Sequence, residues 1–305
     1  MRITFLGTAA AAPTVRRGLS SIAVRAWSDR ILIDCGEGTQ RQMLRYGTGF
    51  RVDRILFTHF HADHYLGVIG FLRTLAMGER TEPLFIQGPA PALERTLKKA
   101  IHLGWRDYPF PIEMQAVEPG EVIDRGDYRI HVVGVEHRMA SVAYVFEEPP
   151  RPGRFDLERA QALEVPPGPL YGRLQRGETV ELPSGAMVAP DQVMGPARSG
   201  RKVAFSGDTR PCSSLIEAAR GADLLVHEAT FTEDERDRAL ETMHSTALEA
   251  GRVAAEAGAR RLVMTHISSR YDSQPSLLVE EAKRSFGGEV AVAEDGMRME
   301  VEYAD

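Results

Sequence analysis

Three histidines and an aspartate stand within six positions of the segment ILFTHFHADHYLGV, residues 55–68. The chain has only nine histidines in 305 residues, so His59, His61 and His64, together with Asp63, form a marked concentration of metal-ligating groups. Imidazole nitrogens combined with a carboxylate suit Zn²⁺ or Mn²⁺ better than Ca²⁺ or Cu(I). The apolar run before the cluster indicates a buried strand, and the residues after it favour a helix. The segment therefore predicts a metal site on a strand-to-helix junction of an α/β fold.

The cluster is too compact to enclose a single ion. Four ligands within six residues cannot easily surround one tetrahedral cation, so we expect His59 and His61 to face one cation and Asp63 and His64 a neighbouring one. Further candidates directly follow apolar, strand-like segments: His137, Asp208 and His266. A lone histidine in such a place is as often structural as a ligand, whereas Asp208 has two oxygens that could bridge two cations. The pattern indicates a two-metal site.

The rest of the chain alternates short β-rich segments with helical ones. RITFLGT, SSIAVRAW and RILIDCGEG are typical of strands, and GTQRQMLRYG of a helix. After residue 200, RKVAFSGDT, ADLLVHEAT and RRLVMTHIS are strand-like and are separated by helical segments. Two similar halves predict two sheets packed face to face with helices outside, a four-layer αββα sandwich, although a single doubly wound sheet fits the same periodicity. We expect one domain over residues 1–305 that carries an insertion.

The predicted insertion covers residues 148–200 and is rich in proline and glycine. It is too long for an ordinary connector, and its PPGPLYGRL segment is not typical of a plain linker. We interpret it as an inserted substrate-binding arm, with a mobile surface excursion as the alternative. Between residues 151 and 202 there are eight Arg or Lys against six Asp or Glu, which is only a slight basic excess.

Composition excludes several classes of protein. No apolar run approaches the ~20 residues that cross a bilayer, and MRITFLGTAA does not resemble a secretory signal, so we expect a cytoplasmic chain without a membrane partner. Two cysteines, Cys35 and Cys212, are too few for a disulfide framework. The formal net charge of -6 offers no general attraction for a polyanion, so a nucleic-acid role would need local basic groups or a metal.

Motifs along nearly the whole chain resemble one family of hydrolases. The segments THFHADHYLG, DCGEGTQRQ, FSGDTRP, VHEATF and THISSRY are similar to those of the metallo-β-lactamase-fold superfamily, and the HEAT and HST elements with the PPGP arm narrow the resemblance to ribonuclease Z. The resemblance implies an endoribonuclease that removes the 3' trailer from precursor tRNA, leaving a 3'-hydroxyl on the tRNA and a 5'-phosphate on the trailer. It also implies a homodimer, in which the arm of one subunit holds the tRNA that the other cleaves. Gly18 departs from the asparagine usual before LSS.

The resemblance also assigns metal ligands for two zinc ions, with manganese as the alternative metal. It implies His59, His61 and His137 for the first ion, Asp63, His64 and His266 for the second, and Asp208 as the bridge. This allocation agrees with the one reached from spacing. His227 is expected to orient its neighbours, because seven ligands already satisfy two cations.

Phosphodiester hydrolysis requires further roles. The resemblance gives Asp63 the role of base toward the attacking water. The leaving 3' oxygen needs a proton, and His244 is our candidate for the general acid, with Glu228 fixing its tautomer and raising its pKa. The alternative is that Glu228 and His244 merely lock two segments together. Ser268 and Arg270 are candidates for binding a substrate phosphate, although Ser268 could equally make a structural hydrogen bond.

Three other functions remain open from the sequence. A phosphodiesterase of the same fold acting on small esters or other RNAs would share the ligands without needing the arm. A thioester or lactone hydrolase would have no use for His244 as a leaving-group acid. A metal-stabilised RNA-binding protein is a third candidate, but structural metal sites are normally four-coordinate and poor in carboxylates.

Overall fold

The computed structural model describes residues 1–102 and 107–304; residues 103–106 and 305 lie outside the described part. The chain divides into two compact units. The first comprises Met1–Glu147 and Arg201–Glu302, and the second comprises Glu148–Gly200 with the last residues of the chain, from Tyr303. The first unit contains every candidate ligand and catalytic residue.

The described residues form sixteen strands: β1 Arg2–Gly7, β2 Ser21–Ala26, β3 Asp29–Ile33, β4 Arg54–Leu56, β5 Leu84–Pro89, β6 Ile112–Val117, β7 Val122–Asp124, β8 Arg129–Gly134, β9 Val142–Glu147, β10 Val180–Glu181, β11 Met187–Val188, β12 Lys202–Phe205, β13 Leu224–Glu228, β14 Arg261–Thr265, β15 Glu289–Val292 and β16 Arg298–Glu300. The α-helices within the same ranges are α1 Thr39–Tyr46, α2 Ala62–Tyr65, α3 Gly67–Met77, α4 Lys98–Ala100, α5 Leu157–Ala162, α6 Pro169–Gln175, α7 Ser213–Ala218, α8 Arg236–Thr242, α9 Ala247–Ala257 and α10 Ser276–Ala282. A π-helical turn covers Leu93–Leu97, and 3₁₀ turns cover Pro190–Gln192, Glu233–Glu235 and Ser269–Tyr271. None of the helices in these ranges has the length and apolar character that a membrane span requires.

The first unit contains two seven-stranded mixed sheets. The first has the order β16-β1-β2-β3-β4-β5-β6, and the second has the order β15-β14-β13-β12-β9-β8-β7. Strands β3 to β6 are parallel to one another, as are β12 to β15. Strand β8 also runs in the direction of β12, because each is antiparallel to β9. The carboxyl ends of these strands therefore lie at one edge of each sheet.

Apolar side chains form three layers of core in this unit. One cluster joins the facing sides of the two sheets and contains Phe5, Tyr144 and Phe205. A second lies between the second sheet and helices α7, α9 and α10, and a third lies between the first sheet and helices α1 and α3. The predicted four-layer αββα sandwich is confirmed, and two separate sheets exclude the single doubly wound sheet.

The second unit has a small core of its own. Helices α5 and α6 and the hairpin β10–β11 bury a cluster of mainly aliphatic side chains: Ala160, Val165, Leu174, Val180, Leu182, Val188 and Val193. Asp156 caps α5 by accepting a hydrogen bond from the backbone N–H of Arg159 at 3.0 Å. Arg151 and Arg198 exchange two backbone hydrogen bonds of 2.7 and 2.9 Å at the base of the unit. The predicted insertion, residues 148–200, therefore coincides with a compact unit that has its own core, and its use as a substrate-binding arm stays a prediction.

Candidate metal centre and active site

The candidate ligands follow strands whose carboxyl ends meet at an edge of each sheet. The loop after β4 carries His59 and His61, and Asp63 and His64 lie in the short helix α2. The remaining three candidates follow strands of the second sheet: His137 after β8, Asp208 after β12 and His266 after β14. The strand directions within each sheet and the packing of the two sheets thus place side chains that are up to 207 positions apart, from His59 to His266, at one site.

The first group consists of His59, His61, His137 and Asp208, whose candidate ligand atoms all lie within 4.8 Å of one another. His61 Nδ1 is 3.0 Å from His59 Nε2 and 3.2 Å from His137 Nε2. Asp208 Oδ2 is 3.6 Å from His59 Nε2. Three imidazole nitrogens and a carboxylate oxygen therefore converge on one point.

The second group consists of Asp63, His64 and His266, within the same 4.8 Å limit. Asp63 Oδ2 lies 3.4 Å from His266 Nε2 and 3.6 Å from His64 Nε2. Asp208 Oδ2 lies 3.3 Å from each of these two nitrogens. Because Asp208 also contacts His59 of the first group, it stands between the two groups, where a bridging ligand would lie.

Hydrogen bonds hold four of the rings with one nitrogen left for a metal. Thr58 Oγ1 donates to Asp34 Oδ2, so it can only accept from His59 Nδ1, at 3.1 Å. Thr230 Oγ1 donates to Glu228 Oε2 and accepts from His266 Nδ1 at 2.9 Å. The remaining two rings donate their Nδ1–H to oxygens at 2.8 Å: His64 to Asp34 and His137 to the carbonyl of Met243. In the neutral form of each ring these bonds leave Nε2 as an acceptor on the side of the cluster, which is the state of a metal-ligating imidazole.

The buried His64 Nε2 makes no hydrogen bond to any residue of the ranges 1–102 and 107–304. A buried polar atom without a partner is costly unless a cation or a proton satisfies it. The donor set of five imidazoles and two carboxylates, with this orphaned nitrogen, therefore fits divalent cations such as Zn²⁺.

The charges of the cluster agree with that fit. Burial and the neighbouring His64 hold the pKa of His59 well below its ordinary value. Burial would raise the pKa of Asp208, but His266, His64 and His59 outweigh it and hold that pKa well below its usual range. The pKa of His64 is shifted the other way, because the charges of Asp208 and Asp34 outweigh burial and raise it. A proton and a bound cation would therefore compete for the Nε2 atom of His64.

His244 and Glu228 form a pair beside the two groups. His244 Nδ1 lies 2.8 Å from Glu228 Oε1, and the Glu228 carboxylate also accepts hydrogen bonds from the N–H groups of Thr209 and Thr230. Burial lowers the pKa of His244, but the charge and hydrogen bond of Glu228 outweigh it and raise that pKa to about 9. The Glu228 side chain is 1% exposed and that of His244 is 14% exposed, so only the histidine is open to a substrate.

His244 also belongs to a third group with Asp208 and His266. Its Nδ1 is 3.9 Å from Asp208 Oδ2, but that nitrogen is already bound to Glu228. Its role as a general acid rather than a ligand stays a prediction.

Arg210 fixes the main chain of His244, a contact that the sequence analysis missed. Its Nη1 donates to the carbonyl of His244 and, at 2.7 Å, to Glu249 Oε2. Glu249 in turn closes a capping box with Thr246 at the start of α9, two residues after His244. The arginine of the FSGDTRP segment would have been the signal, but its partner Glu249 is 39 residues away.

Ser268 and Arg270 lie just beyond His266. Ser268 is buried and accepts a hydrogen bond from Arg270 Nη1 at 3.2 Å, and Arg270 Nε lies 3.8 Å from Glu235.

His227 is buried on the strand position before Glu228 and is absent from the three ligand groups found among the described residues. Its Nδ1 lies 2.6 Å from the carbonyl of Glu228.

Replacing Asp34 with alanine should weaken metal binding by about 10- to 100-fold, because Asp34 orients His64 and, through Thr58, His59. Chelator competition on the purified chain would measure the change. Asp34→Asn keeps the size and one acceptor oxygen, so an intermediate loss is expected. Metal affinity equal to that of the wild type in both variants would contradict this role for Asp34.

Comparisons with known proteins agree with the fold. A family model described as "Beta-lactamase superfamily domain" matches residues 166–267, and one described as "Anti-Pycsar protein Apyc1" matches residues 1–149. Among solved structures, the short form of human tRNase Z is 24% identical with a TM-score of 0.68, covering 99% of this chain and 100% of that one. At this identity the likeness is one of fold.

Curated relatives are much closer in sequence. The chain is 56% identical over 305 residues to "Ribonuclease Z" of Myxococcus xanthus, covering 100% of this chain and 99% of the relative. It is 50% identical over 306 residues to "Ribonuclease Z" of Haloferax volcanii, covering 100% and 96%. At these identities over nearly the full length of both proteins, the chain belongs to the ribonuclease Z family.

Proposed function

We propose that this chain is a metal-dependent endoribonuclease that removes the 3' trailer from precursor tRNA, leaving a 3'-hydroxyl on the tRNA and a 5'-phosphate on the trailer. Membership of the ribonuclease Z family supports the class of substrate. The observation that carries the chemistry is the His244–Glu228 pair, 2.8 Å apart, beside two ligand groups that Asp208 contacts. Such a pair supplies the proton that a ribose 3' oxygen needs in order to leave.

The ligands His59, His61 and His137 would hold one zinc ion and Asp63, His64 and His266 a second, with Asp208 between them. When bound, the two cations would lower the pKa of a water molecule and offset the charge of the attacked phosphate. Manganese is the alternative metal.

Two side chains would move the protons of the reaction. Asp63 would accept a proton from the attacking water; its Oδ2 is oriented by the N–H of Ala11 at 2.9 Å, and His266 and His64 outweigh burial to hold its pKa low. His244 would then donate its proton to the leaving oxygen. Ser268 and Arg270, next to His266, would bind a substrate phosphate.

The insertion and the assembly belong to the same proposal. Residues 148–200 would be the arm that binds tRNA, and the protein would act as a homodimer in the cytoplasm. RNA helices are recognised mostly through shape and phosphate contacts, which an extended arm can make far from the cleaved bond.

Replacing residues 152–197 with an Asn-Gly turn tests the function and the arm together. The backbone hydrogen bonds between Arg151 and Arg198 make these two residues an antiparallel pair that a two-residue turn can join. With Zn²⁺ or Mn²⁺, the intact chain should cut an end-labelled precursor tRNA once, near the discriminator. The shortened chain should lose this cut while hydrolysis of a small aryl phosphodiester persists.

The small substrate is the internal control for folding and metal loading. Equal survival of both activities would contradict the role of the arm. An intact chain that hydrolyses the small diester but never cuts precursor tRNA would instead favour a phosphodiesterase acting on other substrates.

A further inference from the structure

The outer face of the first sheet carries a pocket with a volume of about 180 Å³ that we call the arginine pocket. Five arginines line it: Arg2, Arg25, Arg30, Arg51 and Arg298. The hydroxyl-bearing residues Thr4 and Thr48 lie in the same wall, and no aspartate or glutamate stands among the lining residues of the described chain. The whole protein has a net charge of -6, so this concentration of positive charge opposes the general charge of the molecule.

The strand register places three of these arginines in one row. Arg2 of β1 is directly opposite Arg25 of β2, and Arg25 is directly opposite Arg30 of β3. Residues opposite one another in a sheet point to the same face, and like charges in that position destabilise the pairing. An anion between the guanidinium groups would remove this cost.

The sheet itself neutralises little of the charge. Arg2 forms an ion pair of 2.6 Å with Glu300, and Arg298 donates to the carbonyl of Tyr46. For the side chains of Arg25, Arg30 and Arg51, no hydrogen bond or ion pair is found with residues 1–102 or 107–304. Three guanidinium groups at one pocket therefore have their donors available to a ligand.

The arginine pocket is separate from the metal centre. Arg30 lies near the start of β3, whereas Asp34, which holds His64, directly follows the end of that strand. Four residues of extended chain span roughly 13 Å, so a ligand in the pocket does not contact the candidate metal ligands. The site must therefore bind an anion without help from the metal.

We propose that the arginine pocket binds a phosphate group. Guanidinium groups pair with phosphate through two parallel N–H···O bonds, and a phosphate has enough oxygens for several arginines at once. The volume is smaller than the ~300–1,000 Å³ of sites for drug-sized ligands, which favours a single phosphate or small phosphomonoester. The phosphate could come from the free ion or from an RNA backbone.

A calorimetric titration of the metal-loaded full chain with inorganic phosphate tests the proposal. The variant is Arg25→Gln/Arg30→Gln, and the control is Arg252→Gln, an exposed arginine on α9. Wild type and control should bind one equivalent more than the double variant, or bind it at least ~10-fold more tightly. Any phosphate that binds at the metal centre should bind to all three proteins alike. An unchanged rate of hydrolysis of the small aryl diester shows that the double variant is folded.

Equal stoichiometry and affinity in the wild type and the double variant would overturn the proposal. A separate measurement, the KM for precursor tRNA, identifies the source of the phosphate. If RNA supplies it, the double variant raises KM and lowers the slope of log KM against log salt by about 1 to 2. If free phosphate supplies it, KM is unchanged while phosphate binding is still lost. The phosphate titration does not involve cleavage, so it stands even if the proposed function fails.

Discussion

Replacing Asp208 with alanine is expected to abolish metal-dependent hydrolysis of both precursor tRNA and the small aryl diester. Asp208 Oδ2 lies within 3.3–3.6 Å of ring nitrogens from His59, His64 and His266, so it contacts both ligand groups. Removing it leaves these imidazoles without the negative charge that would offset two cations. Removing an outer hydrogen-bond partner of a metal ligand lowers activity by up to about 100-fold, and the loss of activity in this variant should be larger.

Metal content after equilibrium dialysis, measured with activity, checks this prediction. The wild type should retain two ions per chain and the variant fewer, with both substrates affected alike. Asp237→Ala removes an exposed carboxylate of α8 and should change neither quantity. An Asp208→Ala chain that retains two ions and wild-type activity would show that the bridging role is wrong.

The strand ends explain why so much of this site could be predicted. His137, Asp208 and His266 each follow an apolar segment, and the parallel strands β8, β12 and β14 end at the same edge of their sheet. The period of the apolar residues predicted sheets covered by helices but fitted a single doubly wound sheet as well; the strand pairing of the fold excludes that alternative. Assignment of each ligand to a metal remains a prediction.

Contacts that depend on tertiary geometry could not be predicted. Asp34 follows a buried strand as Asp208 does, but only the fold shows that it holds His64 and Thr58. The row of arginines could likewise not be predicted from the sequence, because Arg2, Arg25 and Arg30 come together only through the register of three strands. Periodicity predicts which face a residue occupies but does not identify its neighbour on the next strand.

Replacing His244 with alanine is expected to slow cleavage of precursor tRNA by about 10²- to 10⁴-fold, the range for loss of a general acid. A ribose 3' oxygen leaves as a strongly basic alkoxide unless it receives a proton. A p-nitrophenolate leaving group is a stable anion near neutral pH and needs no proton. Hydrolysis of a p-nitrophenyl phosphodiester by the variant should therefore change much less than cleavage of RNA.

The ratio of the two rates separates acid catalysis from a structural role. If the His244–Glu228 contact merely locks two segments together, His244→Ala should lower both rates equally. Glu228→Gln keeps a group of the same size but removes the charge that raises the pKa of His244, so it should slow RNA cleavage less than His244→Ala does. Because Glu228 also holds Thr230, the partner of His266, a smaller loss on the p-nitrophenyl diester is expected as well. His131→Ala removes a partly exposed histidine that pairs with Glu147 at 3.0 Å and should leave the ratio unchanged. A selective loss in the first two variants alone would therefore assign the proton to His244, since metal binding is needed for both substrates and the acid only for one.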